Sequence, residues 1–118
     1  MTKITFFKRD GIYYGFREVG HADYSSAGAG DDVLCAALSA MTMLIVNAIE
    51  VSFASNVDYT IDEENASITV RCMGALPDYE EDEKKRYAIH GLIQGYFFQL
   101  NDMLEEYYDY LDVSETEE

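Results

Sequence analysis

Asp31-Asp32-Val33-Leu34-Cys35-Ala36-Ala37-Leu38-Ser39-Ala40-Met41-Thr42-Met43-Leu44-Ile45-Val46-Asn47-Ala48-Ile49 is the stretch around which the rest of the chain is organised. From Asp31 or Asp32 to about Phe53 its pattern is helical. Apolar side chains stand on nearly every side, so the helix is expected to be buried on nearly every side. A membrane span is the competing reading of such a run. Ser39, Thr42 and Asn47 interrupt it, acids flank both ends, and no basic or aromatic anchor stands close. A buried central helix is therefore expected, with no membrane association.

On both sides of this helix the pattern changes to strands. Residues 3–8 and 12–19 are rich in aromatic and β-branched side chains, and Asp10-Gly11 between them is a hairpin turn, since glycine accepts the positive φ that tight turns need. Gly15 inside the second strand marks a bulge or a close backbone approach. Beyond the helix, Val57, Tyr59 and Ile61 alternate with polar residues. After Glu63-Glu64-Asn65, Ile68, Val70 and Cys72 do the same, which predicts a second hairpin with one dry face. Gly74 and Pro77 end it. A last helix is expected from near Asp78 to about Leu111, with acids in its first turns, Lys84, Lys85 and Arg86 at i+4 from Glu80, Glu81 and Asp82, and an apolar stripe through Ile89, Leu92, Tyr96, Leu100, Met103, Tyr107 and Tyr110. Gly91 and Gly95 would admit another backbone.

The order β-β-α-β-β-α predicts a two-layer α+β domain over residues 1–111, a four-stranded, mainly antiparallel sheet with two helices packed on it. Residues 112–118 are expected to fray as an acidic tail. One sheet and one further helix leave part of the apolar first helix uncovered, and a homodimer would cover it.

Composition narrows the function. The chain has 118 residues, 48% of them hydrophobic, which suits one folded domain. Eight basic against 23 acidic residues give a net charge of −15, which repels phosphate backbones and attracts a basic protein. Direct nucleic-acid binding is thereby disfavoured. Two cysteines in unlike contexts make no disulfide framework and suit a reducing compartment, and the N-terminus enters a strand without a signal-peptide core, so a cytoplasmic location is expected. No pair of His and Cys lies at zinc-finger spacing and no phosphate-cradling motif is present, so neither a metal nor another cofactor is expected.

Chemistry points to one region. His21 precedes a small-residue loop, Ser25-Ser26-Ala27-Gly28-Ala29-Gly30, and Cys35 follows it. If the helix begins at Asp31 or Asp32, Cys35 lies in its first turn, where unpaired N–H groups and the dipole favour a thiolate. Asp31 and Asp32 oppose this by raising the thiol pKa unless one of them bonds to the histidine. Asp32 and Ser39 share a face with Cys35. The residues alone leave two readings standing. A cysteine in an apolar helix is ordinarily a small core residue, whereas a thiol and a base brought together make a nucleophilic site. The loop between them, with side chains too small to anchor it, is expected to gate such a site. Cys72, in phase with Ile68 and Val70, reads as inert core, and His90 as a solvent-facing or core-edge residue.

Gly20-His21-Ala22, Asp32-x-x-Cys35-Ala36-Ala37 and Ser39 resemble the two catalytic blocks of the ribosomal-processing cysteine protease (Prp) family, in the same order and near the N-terminus. The flanking hairpins and final helix are laid out similarly. The resemblance implies a small homodimeric cysteine protease that removes a short N-terminal extension from a basic large-subunit ribosomal protein, cutting after paired phenylalanines. By position it implies Cys35 as nucleophile, His21 as base, Asp32 and Ser39 in support, and Gly20, Ala22, Gly28 and Gly30 in the segment that meets substrate. A second reading is a non-catalytic dimeric adaptor that binds a basic ribosomal or assembly protein. A reachable, low-pKa thiol at Cys35 separates the two. A thiol redox protein ranks last, because no resolving cysteine stands near Cys35.

Overall fold

The computed structural model describes residues 1–20 and 29–118, the side chains of 29–32 excepted. Strands β1 (Thr2–Arg9) and β2 (Ile12–Val19) form the first hairpin. Asp10 and Gly11 both take positive φ, 53° and 80°, which matches the twist of the two strands they join. The register slips between Phe7 and Lys8, opposite Gly15. A Cβ on Gly15 would lie 2.3 Å from the Val70 carbonyl oxygen, so both readings of this glycine hold.

Helix α1 spans Ala29–Asn47 and continues through a π-helical turn, Ala48–Ser52. The second hairpin follows as β3 (Asp58–Asp62) and β4 (Ser67–Arg71), then a 3₁₀ turn at Met73–Ala75, helix α2 (Glu83–Tyr107) and a fifth strand, β5 (Leu111–Glu117). The sheet runs β3-β4-β2-β1-β5. All its pairs are antiparallel except β1 with β5, which is parallel. The α+β class with two helices thus stands, while the four-stranded sheet is corrected to a mixed five-stranded one.

The added strand is the stretch that composition marked as a fraying tail. Cations of β1 and β4 hold it and the residue after it: Lys8 Nζ lies 2.9 Å from Glu115, Arg9 Nε donates to the Glu118 carbonyl at 2.8 Å, and Arg71 reaches the Glu118 carboxylate at 3.5 Å. Leu111 of the same strand is buried in the core. Strand pairing and a buried leucine outweigh the mutual repulsion of the acids.

Helix-facing residues of the sheet, Ile4, Phe6, Phe16 and Val70, meet Leu34, Leu38 and Ile45 of α1 and Ile89, Ile93, Tyr96 and Leu100 of α2 in one core. Phe6 is its centre, with ring centroids 5.6 Å from Phe16, 5.6 Å from Tyr96 and 5.2 Å from Phe97. Such tilted and edge-on aromatic pairs contribute about 0.5–1.5 kcal/mol each beyond burial.

Three local expectations are corrected. α1 is not buried on every side: Leu34, Leu38, Thr42, Ile45, Val46 and Ile49 face inward, while Val33, Met43, Leu44 and Val51 are exposed. Val33–Ser52 has the length and apolarity of a membrane span, yet one face of it belongs to the sheet's core. β3 is not dry on one face, because it is the outer edge of the sheet, and Tyr59 and Ile61 are exposed. α2 begins at Glu83, five residues later than the sequence pattern places it, since Asp82 caps it by accepting from the Lys84 N–H at 3.0 Å. The expected i+4 pairs therefore do not form, and Arg86 instead donates to the carbonyls of Glu80 and Glu81.

Candidate active site

β2 leads directly into the segment that carries the expected base. Its last residue, Val19, is followed by Gly20 at φ +98°, whose N–H donates to the Ala66 carbonyl at 2.8 Å. A Cβ at Gly20 would sit 2.6 Å from the Met1 carbonyl oxygen. Only glycine combines that φ with that approach, so the turn out of the sheet is fixed at this residue. His21, Ala22 and Gly28 lie outside the described residues, as do Ser25, Ser26 and Ala27 of the expected gating loop. Ala29 and Gly30, the end of that loop in the sequence reading, form the first residues of α1.

Starting α1 at Ala29 makes Cys35 its seventh residue, near the end of the second turn rather than in the first. The dipole acts mainly on the terminal turn. Its pull on a thiol at Cys35 is therefore weak. Cys35 is half-buried, at the edge of the helix's inward face, and Ser39 one turn on is exposed. Asp32 belongs to α1, and its side chain lies outside the described residues.

Beside this face opens a cleft of about 440 Å³. Ser39, Thr42 and Met43 of α1 form one wall, Ile61, Asp62 and Glu63 of the second hairpin the other, and Glu18, Ala66, Ser67 and Ile68 complete it. Aliphatic walls with a carboxylate rim suit a peptide that presents an apolar side chain among basic ones. Asp62 is held below the ordinary carboxylate range by hydrogen bonds from Asn65, side chain (2.6 Å) and backbone (3.3 Å).

Residue patterns alone do not point to the buried polar cluster under the cleft. Glu18 is fully buried, and its Oε1 accepts from Tyr96 Oη at 2.6 Å and from Thr42 Oγ1 at 2.9 Å. The signals were present but faint. Glu18 has the inward parity of Phe16, and Thr42 stands in line with Leu38 and Ile45 on an otherwise apolar stripe.

The two remaining candidates are structural. Cys72 is fully buried, and its thiol is pushed up to about 12 by burial and, secondarily, by the charges of Asp58 and Glu50. It is inert. His90 sits at the core edge, where Nδ1 accepts the Tyr13 backbone N–H at 3.0 Å. Among the described residues no group of three His, Cys, Asp or Glu side chains converges on a point where a metal could sit.

Comparison with known proteins gives this arrangement a context. The model of a family described as cysteine protease Prp matches residues 1–112. No curated protein matches the chain. The crystal structure of SMU.848 from Streptococcus mutans is similar over 100% of this chain and 99% of its own, at 25% identity and a TM-score of 0.79. The essential ribosomal processing protease Prp from S. aureus, solved with a substrate peptide, is similar over 98% of this chain and 100% of its own, at 20% identity and a TM-score of 0.77. The same protease with a covalently linked product peptide has a TM-score of 0.72 at 20% identity, with 98% of this chain and 100% of its own covered. With the family match running from the first strand into the fifth, the chain belongs to the cysteine protease Prp family and is a cysteine protease.

Proposed function

We propose that this protease removes the N-terminal extension of a basic large-subunit ribosomal protein precursor, cutting after aromatic residues, with Cys35 as nucleophile and His21 as base. The observation that carries this reading is the cleft that begins at Ser39, one turn along α1 from the half-buried Cys35, and gives an extended peptide a place to lie. The S. aureus protease, of like fold, was solved with a substrate peptide and with a covalently linked product, the two states expected of a thiol acyl-transfer site. The net charge of −15 favours encounter with a strongly basic substrate.

In this mechanism His21 takes the Cys35 proton and the thiolate attacks the scissile carbonyl. The tetrahedral intermediate collapses with His21 returning the proton to the leaving amine. Water, deprotonated by the same imidazole, then releases the acyl group and restores the thiol. Asp32 and Ser39 support the pair, and Gly20, Ala22, Gly28 and Gly30 supply backbone that approaches the substrate.

The active particle is a homodimer in the cytoplasm. A second copy would cover the exposed face of α1, where Met43 and Leu44 stand open.

Incubation with an extended ribosomal precursor, read by product mass, tests the function. A single cut after an aromatic residue is expected, lost in Cys35→Ala and Cys35→Ser with the fold retained. Turnover in either variant would remove Cys35 from its role. Stable binding of the precursor without cleavage by the wild type would favour an adaptor.

A further inference from the structure

Glu18 occupies a position that the sheet's own pattern would give to an aliphatic residue. Across the strands its row reads Ile61, Ile68, Glu18, Ile4 and Val113, apolar at every other place. It is the carboxylate in the buried set of the described residues. A buried carboxylate loses its hydration, and exchanging such a group for a well-packed hydrophobe is often neutral or stabilising. Stability alone does not account for a glutamate here. Geometry does.

One oxygen, Oε1, joins three elements. It belongs to β2, accepts from Thr42 of α1 at 2.9 Å and accepts from Tyr96 of α2 at 2.6 Å, while the two hydroxyls stand 3.4 Å apart. Thr42 lies two turns along α1 from Cys35, with Ser39 between them on the same side. Glu18 is also three residues before His21 in the chain, and β2 ends between the two at Val19. The same side chain is thus fixed to the helix that carries the thiol and to the strand that delivers the histidine. Apolar packing is non-directional and lets a helix roll or slide by fractions of an ångström. Two hydrogen bonds to one oxygen do not.

We infer that Glu18 is a positioning residue, which sets the rotation and height of α1 over the end of β2 and so holds Cys35 in register with the His21 segment. The inference rests on the proposed roles of Cys35 and His21. It acts through Thr42 and Tyr96.

The test compares Glu18→Leu, Glu18→Gln and the all-apolar Glu18→Leu/Thr42→Val/Tyr96→Phe in the full chain. Kinetics are measured on a peptide with two phenylalanines before the scissile bond. In Glu18→Leu the freed hydroxyls can bond to each other, so melting within about 4 °C of the wild type is expected. Its kcat should fall by about tenfold or more while KM stays within about twofold, the signature of a misplaced reacting group. The triple variant should behave likewise. Glu18→Gln keeps an acceptor oxygen and should restore kcat to within about threefold of wild type. Full kcat in a folded Glu18→Leu overturns the inference, as does a Glu18→Gln as slow as Glu18→Leu. If Glu18→Leu does not fold, Thr42→Val and Tyr96→Phe each remove one donor, and unchanged kcat in both overturns it equally. If the wild type leaves the peptide uncut, the proposed function fails on its own. Iodoacetamide labelling of Cys35 then decides: a rate altered about fivefold in Glu18→Leu but not in Glu18→Gln supports positioning, and equal rates refute it.

Discussion

The backbone N–H of Tyr13 donates to His90 Nδ1 across 3.0 Å, which fastens the start of β2 to the middle of α2. An imidazole that accepts there must be neutral at Nδ1, and its partial burial among Tyr13, Tyr87 and Ile12 lowers its pKa from the ordinary 6.5. The unfolded chain therefore binds this proton more readily than the folded one. Stability from His90 is whole above about pH 6.5 and is lost as pH falls through the lower folded value. Urea unfolding at pH 7.5 and 5.5 should show a loss on acidification that is smaller in His90→Gln, which keeps an acceptor and does not titrate. The difference between the two proteins removes the contribution of His21. Equal losses would mean that His90 is not linked to folding.

Removing β5 should be costly, although its composition suggests a dispensable tail. Leu111 is 2% exposed, and the Thr2 N–H donates to the Tyr110 carbonyl at 2.8 Å just before it. Leu111→Ala should cost about 2–5 kcal/mol, the range for a buried leucine. Truncation after Leu111 should both lower the melting temperature and expose β1 as a new edge prone to aggregation. A truncated chain that melts with the wild type would show that the fifth strand adds nothing.

How far the fold was legible follows from which forces act locally. The Asp10-Gly11 hairpin, the alternation of β4 and the inward stripe of α2 are local patterns, and each is found where expected. β5 was not legible, because its stability comes from β1 about a hundred residues away and from cations of β1 and β4 that reach its end. α1 starts earlier than its pattern suggests for a related reason: Ala29 and Gly30 look like loop by composition, but the helix extends through them. The candidate site is marked in the sequence by the motif around Cys35. Its cleft and the Glu18 cluster are not, since they exist only once β2, α1, α2 and the second hairpin are assembled.

The two thiols should differ sharply in reactivity. Cys72 is fully buried with its pKa pushed up to about 12, whereas Cys35 is only half-buried. Brief iodoacetamide treatment of the native protein at pH 7.5 should label Cys35 well before Cys72, as read by peptide mass mapping. Labelling of Cys72 first would contradict the burial of β4's end. Raising the pH past 9, the ordinary thiol value, should also cost stability, because the unfolded chain ionises Cys72 before the folded one does.

Association should depend on the open side of α1. Met43 is 48% exposed and Leu44 63%, and the glycines Gly91 and Gly95 of α2 leave a groove beside Leu44 and Met41. Sedimentation at micromolar concentration is expected to show a dimer, shifted towards monomer by Leu44→Glu, which places a charge where an apolar contact is needed. A wild-type monomer, or a dimer indifferent to Leu44→Glu, would show that this face is not the interface.

Gly20→Ala offers the sharpest separation between fold and site. At φ +98° an L-residue is strained, and its Cβ would press to 2.6 Å from the Met1 carbonyl oxygen, so the chain must shift where it leaves the sheet. The strain costs about 1–3 kcal/mol. It falls on the residue just before His21, at the end of a strand whose far side is well anchored. The shift should therefore propagate into the His21 segment rather than into the core, and turnover should fall by a larger factor than the loss of stability alone would produce. Gly91→Ala is the control. Its Cβ meets nothing within 4 Å, and alanine in a helix interior is favoured over glycine by about 0.5–1 kcal/mol, so that variant should melt higher. If Gly20→Ala melts and cleaves as the wild type does, the left-handed turn at Gly20 has no part in presenting the histidine.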